Sequence, residues 1–277
     1  MPEVRLTKRI EFAAAHRYGH KAWDEARNRA VFGACFNEPG HGHNYMLEVT
    51  VAGEVDLQTG MVVNLYDLKQ VLKEILEEFD HKHLNLDTPY FREKIPTTEN
   101  IAAVLWDVLA ARPEIGRLEK VRLFEDEDLS AEFVGIAGQA GLTKRYHFAA
   151  AHRLRHRDLS AEQNQRLFGK CDSPESHGHN YVLHVTVQGT IDPITGMLVD
   201  IPTLDRAVAE HILRRFDHQD LDRDPDLTGR MATGENLARL LWNLLVNRLP
   251  AGRLARIGLS ETRGMYYEYR GEEAGKP

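Results

Sequence analysis

Apolar side chains follow two periodic patterns in the first half of the chain. They occupy every second position over residues 45–51, which predicts a half-buried strand. Helical spacing over 65–79 and 101–109 predicts two helices, the second capped by Thr97 or Thr98. The other strands that we expect in this half cover residues 4–15, 120–124 and 131–134.

The second half repeats the first at an offset of 136 residues. LTKRIEFAAAH at 6–16 returns as LTKRYHFAAAH at 142–152, and FGACFNEPGHGHNY returns as FGKCDSPESHGHNY. The offset is 137 at Asp80 against Asp217, which indicates one residue inserted in the helix before Asp217. A period of this length is typical of a duplicated domain and not of a solenoid.

The repeat predicts two domains, 1–135 and 142–277, joined by a glycine-rich linker at 136–141. Each domain is expected to be an α+β unit of order ββααββ, with an antiparallel sheet and helices on one face. At about 135 residues, each is long enough to bury its own core.

Composition narrows the class of protein. The chain has 277 residues, a formal net charge of −7 and two cysteines. The negative charge argues against sequence-independent nucleic-acid binding, and two cysteines do not form a disulfide framework. Because we find no signal peptide and no apolar run near the membrane-spanning length, we expect a cytoplasmic protein without a membrane partner.

The repeated histidines indicate a metal site in each domain. His41 and His43 lie two positions apart at the start of a strand, so their imidazoles project to one face. His16, at the end of the preceding strand, could supply a third ligand. Three histidines leave one position of tetrahedral zinc open, as in catalytic sites. The second copy repeats the set as His152, His177 and His179.

Each copy has a single cysteine, separated from its HGH sequence by five residues. These are Cys35 and Cys171, and both lie in polar loops. A lone cysteine is often just a small buried apolar residue. Beside a dication, however, its thiol would lose a proton more readily, so we interpret both as catalytic bases or nucleophiles.

Carboxylates and a further histidine are also repeated. Asp80-His81 and Asp217-His218 end a helix, where they would either relay protons or simply favour the helix dipole. Glu125 and Glu261 end an apolar strand, as rim carboxylates or as acceptors for a guanidine-like edge. Glu99 and Glu235 fall in the first turn of a helix. The helix dipole alone could explain a carboxylate there, and substrate binding is an equally good explanation.

Together, FAAAH, C-x5-HGHNY, TGM-V, DH-x-x-L, PTTEN and the late glutamate resemble the 6-pyruvoyl-tetrahydropterin synthase family, which includes 6-carboxytetrahydropterin synthases of queuosine biosynthesis. The resemblance spans nearly all of both copies. It implies the tunnelling fold, one Zn²⁺ per domain and a lyase that converts 7,8-dihydroneopterin triphosphate to 6-pyruvoyl-tetrahydropterin with loss of triphosphate.

The resemblance also implies a role for each matching residue. The six histidines would hold zinc; Cys35 would abstract a side-chain proton, and Asp80 with His81 would relay protons. The glutamates at 125 and 261 would anchor the pterin ring. Arg17 and Arg153, just after the first zinc ligand of each copy, are candidates for holding the triphosphate or are ordinary strand-end arginines. The second catalytic set would be Cys171, Asp217 and His218, and the pterin-contacting segments Thr97, Thr98 and Glu99 in the first copy and Thr233, Gly234 and Glu235 in the second.

Three functions stay open on the sequence alone. The spacing before HGH favours the pyruvoyl product, whereas FAAAH leans toward the 6-carboxy product. A non-catalytic zinc- or pteridine-binding protein is the third reading, but intact triads in both copies weigh against it. Since Gly234 removes a hydroxyl, the second copy is the better candidate for a scaffold.

The resemblance also implies an assembly, because members of the family usually form two stacked rings of three units. Three chains of two units each would supply these six units, so the protein would be a homotrimer that forms a pseudo-hexamer.

Overall fold

A computed structural model describes residues 3–271, which form two compact units. The first unit contains the chain up to Thr143 together with Gln188–Leu198. The second contains Lys144–Val187 and the chain from Val199 onward. A short piece of the second repeat is therefore packed with the first unit.

The first unit follows the predicted order of strands and helices. Its elements are β1 (Val4–His16), α1 (Glu25–Phe32), β2 (His41–Gly53), α2 (Leu65–Leu76), β3 (Lys82–His83), α3 (Leu84–Asp87), α4 (Thr98–Ala110), β4 (Arg117–Phe124) and β5 (Leu129–Phe133). Helix α1 begins after Asp24, whose side chain accepts from the Arg27 N–H, and α4 begins after Thr97, as predicted. Such caps each stabilise a helix by about 1 kcal/mol.

The sheet of the first unit has the strand order β5-β4-β2-β1-β3. Strands β1 and β2 pair antiparallel along their whole length, from Val4 opposite Gly53 to His16 opposite His41. The pairs β2–β4 and β4–β5 are also antiparallel, which confirms the predicted α+β fold. The short strand β3 was not predicted, and it pairs parallel to β1.

Side-chain alternation on β2 builds the core. Tyr45, Leu47, Val49 and Val51 are fully buried on one face of the strand. The apolar face of α2 is buried as well, and α4 packs on β4 and β5. Since burying one such side chain stabilises the fold by about 1.5–3 kcal/mol, these faces fix the register that positions the histidines.

The second unit repeats this plan. Its elements are β6 (Gln139–His152), α5 (Ala161–Phe168), β7 (His177–Thr190), α6 (Ile201–Val208), α7 (Arg214–Phe216), β8 (Gln219–Asp220), α8 (Gly234–Leu245), β9 (Arg253–Thr262) and β10 (Met265–Tyr269). The first residues of β6 and the last of β7 belong to the first unit. The strand order is β10-β9-β7-β6, and β8 pairs parallel to β6. No helix among residues 3–271 is long and apolar enough to cross a membrane.

The inserted residue of the second copy has a clear structural form. Between α6 and α7 the backbone forms a π-helical turn over Ala209–Leu213. A π-turn holds one more residue than an α-helical turn, so the helix gains a residue without displacing the segment after it. Asp217 and His218 consequently reach the same kind of position as Asp80 and His81.

Candidate active site

Three histidines meet where β1 ends and β2 begins. The register pairs His16 with His41 and Ala14 with His43, so all three imidazoles lie on one face. Nε2 of His16 lies 3.1 Å from Nε2 of His41, and one ring nitrogen from each histidine lies within 4.8 Å of the others. In the second unit, one ring nitrogen from each of His152, His177 and His179 likewise lies within 4.8 Å of the others.

Backbone carbonyls orient the central histidine of each cluster. Nδ1 of His16 lies 2.9 Å from the Pro96 carbonyl oxygen, and Nδ1 of His152 lies 2.7 Å from that of Ala232. A carbonyl can only accept, so Nδ1 carries the hydrogen and Nε2 keeps its lone pair. Burial, and after it the neighbouring His41, lowers the pKa of His16 to about 3. This imidazole is therefore neutral, as a metal ligand must be.

Several ring nitrogens of the clusters lack a hydrogen-bond partner. They are Nε2 of His43, Nε2 of His152 and Nδ1 of His177, all buried. An unsatisfied buried polar atom costs about 1–3 kcal/mol. A divalent cation would satisfy these lone pairs, and three neutral imidazoles suit zinc. The residues therefore fit the predicted ion, and its identity stays a prediction.

Glu125 extends from the end of β4 to the first histidine cluster. Its Oε1 lies 3.5 Å from Nε2 of His43. Its Oε2 accepts from the Thr98 hydroxyl at 2.5 Å and from the Tyr18 hydroxyl at 3.4 Å. Burial raises the pKa of Glu125. A buried carboxylate beside a metal cluster is well placed to accept hydrogen bonds from an N–H-rich ligand edge.

Cys35 lies in a short helical turn after α1. Its side chain is half-buried and packs against Tyr18, Phe32 and Ile95. Burial, followed by the negative charge of Glu125, raises the pKa of the Cys35 thiol. The surrounding residues thus favour the neutral thiol. Only a nearby cation would lower its pKa, as the predicted catalytic role requires. Cys171 occupies the matching turn of the second unit.

The edge of β1 holds the aspartate–histidine pair. The Ala13 N–H donates to Oδ1 of Asp80 at 2.8 Å, and the His81 N–H donates to the Ala13 carbonyl at 2.6 Å. Nδ1 of His81 lies 2.9 Å from Oδ2 of Asp80. The Ala13 N–H, and after it the His81 ring, lowers the pKa of Asp80. Asp217 and His218 repeat these contacts on Ala149.

A cavity of about 490 Å³ opens beside this pair, lined by residues 13–15, 42–44 and 81–83. The second unit has a matching cavity of about 440 Å³. Cys35 is not among the residues that line the first cavity. The structure therefore brings Asp80 and His81 together and places Cys35 in different surroundings.

The start of α4 contacts residues of the second repeat. The Thr97 hydroxyl donates to the Gly196 carbonyl at 2.6 Å, and Oε1 of Glu99 accepts from the Leu198 N–H at 2.9 Å. Burial raises the pKa of Glu99 to about 7. In the second unit the matching glutamate, Glu235, is exposed.

One protein family accounts for both halves of the chain. Its sequence model, described as 6-pyruvoyl tetrahydropterin synthase, matches residues 5–135 and again residues 141–272. The chain belongs to this family. The predicted resemblance and the tandem duplication are thereby confirmed, and so is the prediction of an enzyme of the pterin synthase type.

Named relatives match one copy at a time. The 6-pyruvoyl tetrahydrobiopterin synthases of Pongo abelii and Homo sapiens are 45% and 44% identical over 127 residues, covering 46% of this chain and 88% of each relative. A putative 6-carboxy-5,6,7,8-tetrahydropterin synthase of Archaeoglobus fulgidus is 36% identical over 108 residues, covering 36% of this chain and 87% of that protein. The 6-pyruvoyl tetrahydropterin synthase structure of Caenorhabditis elegans covers 49% of this chain and 98% of its own, with 34% identity and a TM-score of 0.47.

The two units hold Glu125 and Glu261 differently. Tyr18 and Thr98 contact Glu125 in the first unit. In the second unit, the hydroxyls of Tyr181 and Tyr267 lie 3.3 Å and 3.1 Å from Glu261. None of these tyrosines was predicted as a site residue. Tyr181 stands in the repeated HGHNY sequence, and that repetition could have identified it as a site residue. Tyr267 stands where the first copy has an alanine, so the repeat gave no indication of its position in the site.

The arginines considered for the triphosphate already have partners. Arg17 donates to the Phe36 carbonyl at 2.7 Å and lies 3.1 Å from a carboxylate oxygen of Glu38. Arg153 lies 2.8 Å from the buried carboxylate of Asp172. Part of their charge is thus neutralised within the chain, and their role stays a prediction.

We expect metal-loaded protein to hold two divalent ions per chain, one in each cluster. His16→Gln should lower this to one ion, and His16→Gln with His152→Gln should abolish binding, because two imidazoles bind a dication much more weakly than three. Metal analysis by mass spectrometry after dialysis measures the stoichiometry. The exposed His147→Gln is a control that should retain both ions. A His16→Gln variant that also retained both would contradict the assignment.

Glu99 should make stability depend on pH. Because its pKa is raised, the stability that Glu99 contributes is fully present below pH 4.5, the ordinary pKa of a glutamate. This stability is lost as the pH rises through about 7. The free energy of unfolding of Glu99→Gln, minus that of the parent, should therefore increase by up to about 3 kcal/mol between these pH values. Denaturant unfolding measures it, with the exposed Glu235→Gln as control. Parallel pH profiles for Glu99→Gln and the parent would contradict the burial effect.

Proposed function

We propose that the first unit converts 7,8-dihydroneopterin triphosphate to 6-pyruvoyl-tetrahydropterin and eliminates triphosphate. The observation that carries this proposal is the position of Glu125, 3.5 Å from His43 and hydrogen-bonded to Thr98. A pterin ring has a guanidine-like edge with two parallel N–H donors, which matches a carboxylate. A ring bound there would direct its side chain toward the histidine cluster.

Burial supports this role for Glu125. Its raised pKa indicates that the charged carboxylate lacks sufficient compensation within the chain alone. Hydrogen bonds from a ligand would supply that compensation. A hydrogen bond involving a charged group contributes about 1.5–3 kcal/mol, enough to favour a ligand that donates two of them.

The cluster and Cys35 would divide the chemistry. A dication held by His16, His41 and His43 would supply Lewis acidity toward the hydroxyl-bearing side chain of the substrate. Cys35 would take a proton from a side-chain carbon, and the C–O bond to triphosphate would break. Oxidation of the side chain balances reduction of the ring, so no external oxidant is needed. Asp80 and His81 would return protons.

Two further readings make different predictions. The FAAAH sequence and the Archaeoglobus relative favour 6-carboxytetrahydropterin as the product. A protein that only binds zinc or a pteridine would need the histidines and Glu125 but would have no use for Cys35. The relatives at 38–45% identity are named for the pyruvoyl product, which supports the first reading.

Anaerobic incubation of zinc-loaded protein with 7,8-dihydroneopterin triphosphate should yield 6-pyruvoyl-tetrahydropterin and triphosphate, identified by mass spectrometry. Cys35→Ser should reduce the rate at least about 100-fold, because a hydroxyl is a much weaker base than a thiolate at neutral pH. A 6-carboxy mass would replace the proposed product. Unchanged substrate would contradict enzymatic turnover and favour a binding protein.

We also propose a homotrimer. His81 is exposed and Cys35 does not line its cavity, which supports an assembly in which another unit completes the catalytic set. Analytical ultracentrifugation should give a species with three times the mass of the chain. A monomer at micromolar concentration would contradict this assembly.

A further inference from the structure

The second unit differs from the first at two positions that contact each other. Thr98 of the first unit corresponds to Gly234, and Ala131 corresponds to Tyr267, both at the offset of 136. The first position loses a side chain where the second gains a phenol ring. The two changes are therefore complementary in size.

The phenol ring of Tyr267 occupies the space that a side chain at position 234 would fill. A Cβ built on Gly234 would overlap three atoms of the ring. The Tyr267 hydroxyl donates to Oε2 of Glu261 at 3.1 Å, as Thr98 donates to Oε2 of Glu125. Tyr267 thus replaces the missing hydroxyl, but it does so with an aromatic ring from β10.

This ring contacts Glu261 and Gly234, two residues of the predicted pterin-binding set. Burial, and after it the negative charge of Glu261, raises the pKa of Tyr267 to about 12, and Glu235 and Cys171 act in the same direction. In the first unit the matching residue is the small, buried Ala131.

The other oxygen of Glu261 is also contacted within the chain. Its Oε1 lies 3.3 Å from the Tyr181 hydroxyl and 3.3 Å from Nε2 of His152. In the first unit the hydroxyl of the matching Tyr45 instead lies 3.0 Å from Nδ1 of His16. A planar ligand would have to displace Tyr267 to form two parallel hydrogen bonds with Glu261, and the site would lose a packed ring and a hydrogen bond to a carboxylate.

We propose that Tyr267 is a specificity-determining residue that excludes from the second unit the pterin ring bound by the first. The second unit retains its histidine cluster, while its ring site is filled by the protein's own side chain. Gly234 is what makes this possible, since any larger residue would collide with the phenol. The inference rests on the proposed binding of a pterin by the first unit.

Equilibrium dialysis with neopterin, on zinc-loaded full-length protein, tests the inference. The parent should bind one neopterin per chain, and Glu125→Gln should bind none. In the Glu125→Gln background, adding Tyr267→Phe should restore nothing, because the ring remains. Adding both Tyr267→Ala and Gly234→Thr rebuilds the pair found in the first unit and should restore one neopterin per chain. If the threonine perturbs folding, Tyr267→Ala alone should give the same restoration. Two metal ions per chain and a single cooperative thermal transition identify folded variants.

Different outcomes separate the two proposals. Binding of one neopterin by Glu125→Gln itself, or no gain in either alanine variant, would overturn the exclusion by Tyr267. Gain in the Tyr267→Phe variant would overturn it too, because the hydroxyl and not the ring would then be responsible. If the parent bound no neopterin and an alanine variant bound one per chain, the proposed site of the first unit would be contradicted and the exclusion by Tyr267 would be supported. Absence of binding in every variant would overturn both.

Discussion

The site depends above all on the antiparallel pairing of two long strands. Thirteen consecutive residue pairs join β1 to β2, and the last pair is His16 opposite His41. A slip of one residue would turn the buried face of β2 outward and would separate the histidines. The buried side chains of Tyr45, Leu47 and Val49 make such a slip costly, so the core of each unit also fixes its metal cluster.

Duplication preserved this framework and allowed the pocket above it to diverge. Both units keep three histidines within 4.8 Å, and both fix the central imidazole through a backbone carbonyl. Around the carboxylates they differ: hydroxyls of Tyr18 and Thr98 contact Glu125, whereas Tyr181 and Tyr267 contact Glu261. On the proposal for Tyr267, metal binding and ring binding are separable functions, and the second unit would keep the first while its ring site is closed.

Much of the framework could be predicted from sequence, because its signals are local and repeated. Alternation on β2, the helical spacing of α2 and the threonine cap of α4 all appear in the structure. The slipped offset before Asp217 was correctly located in a helix, and the structure shows it as a π-turn. The two histidine clusters follow from the spacing of HGH and the strand that precedes it.

Contacts between distant segments could not be predicted in this way. Nothing in a single sequence indicates that Leu198 donates to Glu99, since 99 residues separate the two groups. Tyr267 carries no repeated motif, and its role becomes visible only when it is seen against Gly234. The different surroundings of Cys35 and His81 likewise depend on tertiary structure, although motif matching had grouped them as one triad.

Diffraction from crystals grown with zinc and soaked with neopterin, recorded at the zinc absorption edge, tests the central claim most directly. We predict two anomalous peaks per chain, one at each histidine cluster, and pterin density against Glu125 only. Pterin density against Glu261 with Tyr267 in place, or a cluster without an anomalous peak, would contradict that claim.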